Sequence, residues 1–172
     1  AHDRPQEGVM RRLRVRKDMD EPFSTEPVTL IEEVFPQDTN ALNTLFGGRL
    51  LSIMDTAAGV VSSKFAHRDF VTVSIDALKF KRPAFQGDLI EATATVIYTS
   101  THTVGVHVVA NRLNRTEWNR QEICSGLFFM VAIDSEMSPI SVPQLVPETD
   151  EQKKLWEYAS SAKRAMKESL TD

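Results

Sequence analysis

Apolar residues change their spacing three times along the chain. Residues 1–25 keep no sustained period and mix six basic with five acidic side chains, so they read as a mobile arm. Its dense run of Arg11, Arg12, Arg14, Arg16 and Lys17 reads as a solvated charge run and is assigned no function. A short β-like run follows, Val28 to Val34, and then a loop, Phe35 to Thr44. From about Leu45 to His67 the apolar positions Leu50, Ile53, Met54, Ala57, Val61 and Phe65 recur at i, i+3, i+4, which predicts one long amphipathic helix. His67 stands near its C-terminus, where positive charge is favoured.

Beyond the helix the period becomes two. Val71, Val73, Ile75 and Ala77 alternate with Thr72, Ser74 and Asp76, and Ile90, Ala92, Ala94, Val96 and Tyr98 alternate with Glu91, Thr93 and Thr95. Val104, Val106, Val108 and Ala110 share a face of a third run. The last run, Ile123 to Ile133, is apolar on both faces and is predicted to lie inside the sheet. Residues 83–88 and 113–120 supply reversals. A second helix is expected from about Asp150 to Leu170, opened by a capping box of Thr149 and Gln152, with Leu155, Tyr158, Ala159, Ala162 and Met166 as its apolar stripe. This order is an α+β layout: a curved antiparallel sheet wrapped around one long central helix, plus a C-terminal helix. The expected divisions are an arm at 1–25, a central domain at 26–148 and the terminal helix at 149–172. One helix cannot cover both faces of the sheet, so a second copy is expected to bury the other.

Composition narrows the function. The 172 residues, 41% hydrophobic, suffice for about one domain. A net charge of −4 gives no field for polyanions, so no nucleic-acid partner is expected. No run approaches the ~18 apolar residues of a membrane span, so no stable membrane association is expected. Residues 1–23 hold no apolar core of a secretory signal. One cysteine, Cys124, suits a reducing compartment, and a cytoplasmic location is the expectation; in an interior strand its thiol should be inert.

The side of the long helix opposite the core stripe holds Ser52, Thr56, Gly59, Ser62 and Ser63, all small, which implies close packing by the sheet or by a partner. Asp55 is the one ionisable residue from Leu50 to Ser63. Such a carboxylate either bonds to a neighbouring group for structural reasons or serves as a general base. Gly47 and Gly48 stand where the helix should begin, where unpaired N–H groups can stabilise an oxyanion, and Asn40 adds an amide in the preceding loop. Paired glycines and a loop asparagine are also ordinary turn formers. Neither a GxGxxG nor a GxxxxGK[ST] loop is present, and His102 and His107 should leave opposite faces of a strand, so no nucleotide loop and no metal site are expected.

Taken together, Pro36-Gln37-Asp38-Thr39-Asn40, Leu45-Phe46-Gly47-Gly48-Arg49-Leu50-Leu51 and Met54-Asp55 resemble the signature of hotdog-fold thioesterases of the acyl-CoA hydrolase family. The resemblance spans about residues 27–148 and continues through Thr72-Val73-Ser74-Ile75-Asp76, the Phe80 to Pro83 turn, Gly87-Asp88 and the Phe129 to Asp134 strand end. It implies hydrolysis of acyl-CoA to a fatty acid and CoA, with no cofactor beyond the CoA of the substrate. It also implies a dimer formed sheet to sheet, often a trimer of dimers. Asp55 is then catalytic, Asn40 assists across the dimer interface, and the backbone at Gly47 and Gly48 binds the thioester oxygen. Phe46, Thr72, Val73, Ser74, Asp76, Lys81, Arg82, Ser100 and Thr101 are the implied substrate-binding residues. A thiol of pKa ~8.5 leaves easily, so one carboxylate suffices either to activate water or to attack directly. Two departures stand out: Asn43 replaces a glycine usual in the family, and Tyr98-Thr99 replaces a Gly-Arg pair, whose basic contact Lys81 and Arg82 are expected to supply. A silent acyl-CoA-binding protein and a hotdog dehydratase or hydratase are the competing readings, the latter disfavoured because no histidine lies near the helix start.

Overall fold

The computed structural model describes residues 21–171. The first twenty residues, including the basic run, lie outside the described residues. Phe23, assigned above to the arm, packs on the folded domain: its ring stacks on His67 at 3.6 Å and its N–H donates to the carbonyl of Phe65.

Five antiparallel strands form one sheet: β1 (Val28–Glu33), β2 (Asp69–Phe80), β3 (Leu89–Thr99), β4 (Thr103–Leu113) and β5 (Arg120–Ile133), in the order β1-β3-β4-β5-β2. The sheet curves around α1 (Gly47–Ala66). The helix begins two residues later than the periodicity suggests. Thr44 and Leu45 are held extended by bridges to Phe85 and Thr39, and the Leu45 N–H donates to Ala84. Its C-cap is His67 itself, left-handed at φ 51°, a conformation that histidine adopts more readily than most side chains.

The inner face of the sheet is graded in size. Ala92 and Ala94 on β3 leave room for the helix to approach, while Phe128 and Met130 on β5 fill the opposite side. Leu50, Ile53, Met54, Ala57, Val61 and Phe65 are buried against them, as the helical period predicts. The strands depart from strict alternation at several points, two of which bear on the site and its cover. A bulge between Val96 and Tyr98 turns Tyr98 to the outer face, away from Ile90, Ala92, Ala94 and Val96. A second, between Thr72 and Ser74, sets Thr72 opposite the inward Met130 but Ser74 opposite the outward Phe129.

The double-sided burial of β5 has a different cause from the one expected. Helix α2 (Asp150–Thr171) lies on the outer face of the same chain, seating Leu155, Ala159 and Ala162 on Ile97, Leu127 and Phe129, so no second copy is needed there. Tyr98 joins this layer, edge-on to Phe129 and 4.9 Å from Trp156. The capping box at its start is formed: the Gln152 N–H donates to Thr149 Oγ1, and the Thr149 N–H to Gln152 Oε1. The sheet has two edges, β1 and β2, and the longer is β2, a twelve-residue strand with Val73 and Phe80 more than half exposed. Among the described residues no helix is long and apolar enough to cross a membrane.

Two outcomes follow from this packing. Phe129→Ala should cost about 3–5 kcal/mol in denaturant unfolding, because it empties the layer that fixes α2. The carboxylate of Glu91 is buried and takes two hydrogen bonds from Arg120, at 2.9 and 3.0 Å. Those bonds hold it below the usual carboxylate range against the opposing effect of burial. Its stabilisation is therefore complete above its unfolded pKa of about 4.5 and is lost as pH falls through the lower folded value. The stability gap between the native chain and Glu91→Gln should shrink between pH 5 and about pH 3; a constant gap contradicts the assignment.

Candidate functional site

Asp55 sits on the third turn of α1, half-buried, with its Oδ1 accepting a 2.6 Å hydrogen bond from Thr72 Oγ1. Thr72 reaches it because the bulge leaves this residue on the helix side of β2; its hydroxyl also lies 3.4 Å from Met130 Sδ. Among the described residues no cation pairs with Asp55. Around it Ser52, Thr56 and Ser63 are exposed, and a Cβ placed on Gly59 would meet nothing within 4 Å. Ser62, counted above with the small side, is instead buried and returns its hydroxyl to the carbonyl of Ala58. The small-residue side is thus not covered by the chain's own sheet.

A second group of residues gathers at the N-terminus of α1. A short 3-10 turn, Pro36–Asp38, is fixed by Asp38, whose carboxylate accepts the Phe35 N–H at 2.9 Å and faces Arg49 at 3.3 Å. Asn40 organises the next turn, accepting N–H groups of Leu42 and Thr44 and donating to Thr44 Oγ1 at 2.9 Å, which leaves one amide N–H unspent. Asn43 takes φ 61°, so the substitution for glycine keeps a left-handed turn that asparagine tolerates. Gly47 and Gly48 occupy the first two helical positions, whose N–H groups have no intrahelical acceptor. Phe46 folds back over Gly48: a Cβ there would come within 2.5 Å of its exposed ring, which would have to swing aside.

Beside Gly47 opens a groove of about 330 Å³, lined also by Leu50, Phe80, Lys81, Arg82 and Pro83. Lys81 and Arg82 therefore do join Gly47. Their charge is partly spent, since Lys81 is ion-paired with Glu122 and Arg82 Nη1 donates to the Glu122 carbonyl at 2.9 Å.

The remaining implied residues divide. Val73 is the exposed residue of the bulge. Ser74 and Asp76 face outward, opposite Phe129 and Leu127, and so do not join Asp55; the bulge is the physical reason. Ser100 and Thr101 form the tip of the β3–β4 hairpin, where Gln144 Nε2 binds the Ser100 carbonyl. Asn40 and Asp55 are not brought together within one chain. Asp55 lies seven residues beyond Gly48, about 10 Å along the helix axis, and Asn40 stands in the loop that precedes the helix, bonded to Leu42 and Thr44. Thr72 as the partner of Asp55 was not legible from alternation, because the bulge decides which way it points. Cys124 is buried, and burial pushes its thiol up to about 11, so it is inert as expected.

Comparison with known proteins adds independent findings. Residues 42–118 match the thioesterase superfamily. The chain is 38% identical over 127 residues, 73% of each sequence, to an uncharacterised acyl-CoA thioester hydrolase of Bacillus subtilis. It is 30% identical to the cytosolic acyl coenzyme A thioester hydrolase of Rattus norvegicus over 141 residues, and spans 37% of that protein's length. A crystal structure of an apo-hexameric acyl-CoA thioesterase superposes with a TM-score of 0.79 at 34% identity, covering 87% of this chain and 96% of that one. The acyl-CoA hydrolase of Staphylococcus aureus, solved with butyryl coenzyme A and coenzyme A, gives 0.76 at 29% identity, covering 87% and 92%. Alanine variants of that enzyme replace an asparagine, an aspartate and a threonine spaced 15 and 17 residues apart, as are Asn40, Asp55 and Thr72 here. Sequence relatives, fold and the matched superfamily agree that this chain belongs to the acyl-CoA thioester hydrolase family.

Proposed function

We propose that this chain hydrolyses acyl-CoA to a carboxylic acid and CoA, with Asp55 as general base. The observation that carries the reading is the Asp55 carboxylate held by Thr72 beside an uncovered, small-residue stretch of helix. Thr72 engages one carboxylate oxygen and leaves the other to take a proton from water. The hydroxide so formed adds to the thioester carbonyl. The oxyanion lies against the free N–H groups at Gly47 and Gly48, with the unspent amide N–H of Asn40 alongside, and collapse expels the CoA thiolate, which recovers the proton through Asp55.

Because Asn40 and the glycines stand at one end of α1 and Asp55 two turns away, these groups converge on one thioester when they come from two protomers. Pairing through the open β2 edge, which would set the bare side of α1 against the partner, supports a dimer, and the hexameric relatives support a trimer of dimers. In this reading Lys81, Arg82 and Phe80 line the entry for the pantetheine arm. A cytoplasmic location accords with the inert, single Cys124.

Asp55→Asn preserves the Thr72 contact yet removes the base, and it should lower kcat on a short acyl-CoA by about 10²–10⁴-fold with KM little changed. Full turnover by this variant excludes Asp55 as the base; binding of a non-hydrolysed acyl-CoA to the native chain without CoA release points to a silent binding protein instead. The shared site has its own test. When inactive Asp55→Ala and Asn40→Ala chains are unfolded together and refolded, half of the dimers are mixed and each of those holds one intact site. Activity should then return to about a quarter of native, as two-fold symmetry dictates. No recovery places both residues in one protomer's site.

A further inference from the structure

Arg49 stands in the first turn of α1, where the macrodipole disfavours a cation, and no acid in that turn offsets it. The N-cap, Phe46, makes no side-chain cap bond either. The offset comes from outside the helix. Arg49 Nε lies 3.3 Å from Asp38 Oδ1 on the 3-10 turn, and its Nη2 lies 3.9 Å from Glu32 Oε2 on β1. Two carboxylates around one guanidinium leave the trio net negative, so Arg49 brings no positive field to the Gly47 and Gly48 N–H groups. Its effect on that end of the helix is one of position.

The ion pair reaches the segment that carries Asn40. Asp38 Oδ2 accepts the Phe35 N–H at 2.9 Å, and the Asp38 carbonyl accepts the Phe46 N–H at 2.8 Å. Two residues on, the Asn40 N–H donates to the Thr44 carbonyl at 2.9 Å, and its side chain accepts from Leu42 and Thr44. Asn40 is thus fixed to the Asp38 turn, whereas Gly47 and Gly48 belong to α1. Beside the backbone bond from Phe46 to Asp38, Arg49 ties one to the other.

We propose that Arg49 is a positioning residue of the thioester site: its fork to Asp38 and Glu32 sets the Asn40 amide at the distance from the Gly47 and Gly48 N–H groups that one oxyanion needs. The inference deepens the hydrolase reading above and rests on it. A part-exposed ion pair adds little to global stability. Displacing a binding group by about 1 Å, in contrast, can cost up to about 10²-fold in rate. Loss of Arg49 therefore falls on turnover rather than on folding.

The test uses Arg49→Met, Arg49→Lys, Asn40→Ala and the double variant Arg49→Met/Asn40→Ala in the full chain. On a short acyl-CoA, Arg49→Met should lower kcat about tenfold, with KM and the denaturant midpoint little changed. Arg49→Lys should stay close to Arg49→Met, because one ammonium does not reproduce a fork whose two nitrogens face two carboxylates. Full recovery by lysine makes charge rather than position the cause and overturns the proposal. An unchanged kcat in Arg49→Met overturns it as well. If Arg49 acts through Asn40, the double variant is no slower than Asn40→Ala alone; losses that multiply contradict the assignment. Amide hydrogen exchange separates these results from a failure of the hydrolase reading, since it needs no turnover. Arg49→Met should speed exchange at Asn40 and Phe46 about tenfold and leave the β4 amides as they are. That pattern upholds the tie between turn and helix even if hydrolysis proves absent, and unchanged exchange at Asn40 and Phe46 sinks it.

Discussion

The register of β2 on β5 decides what surrounds Asp55. A strand that alternated without interruption would send Thr72, Ser74 and Asp76 to one face together. The bulge at Val73 breaks that bond between them, so Thr72 points in and donates its hydroxyl to the carboxylate, while Ser74 and Asp76 point out beneath α2. One inserted residue thus supplies the aspartate with a single hydrogen bond and removes a second carboxylate from its neighbourhood. The benefit is electrostatic: a second acid on the same side would raise the cost of ionising the first.

The same physics explains which features were legible in the sequence. The core stripe of α1, the inward β4 residues and the capping box of α2 each follow from a local rule, periodicity or cap chemistry, and the fold agrees with all three. Bulges obey no such rule. Tyr98 was grouped with Ala94 and Val96 because nothing in the run of residues marks the extra residue at Ile97. The cover over β5 was misassigned for a related reason. A narrow apolar stripe at Leu155, Ala159 and Ala162 fits the chain's own sheet or another subunit equally well, and only tertiary packing selects the first. Of the site, Asp55, the paired glycines and Asn40 were visible as an isolated acid, a helix start and a loop amide.

In the proposed mechanism, the distance between Gly48 and Asp55 along α1 gives a single chain two half-sites rather than one site. At its N-terminal end α1 presents donors, the Gly47 and Gly48 N–H groups, with the rigid 36–46 loop locked by Asp38, Arg49 and Asn40. At its middle it presents an acceptor, Asp55. A thioester needs both within a few ångströms, one for its oxygen and one for the attacking water. The uncovered strip of Ser52, Thr56 and Gly59, on either side of Asp55, carries only small side chains. In the proposed dimer, small residues along the strip set how near the other protomer's loop can approach.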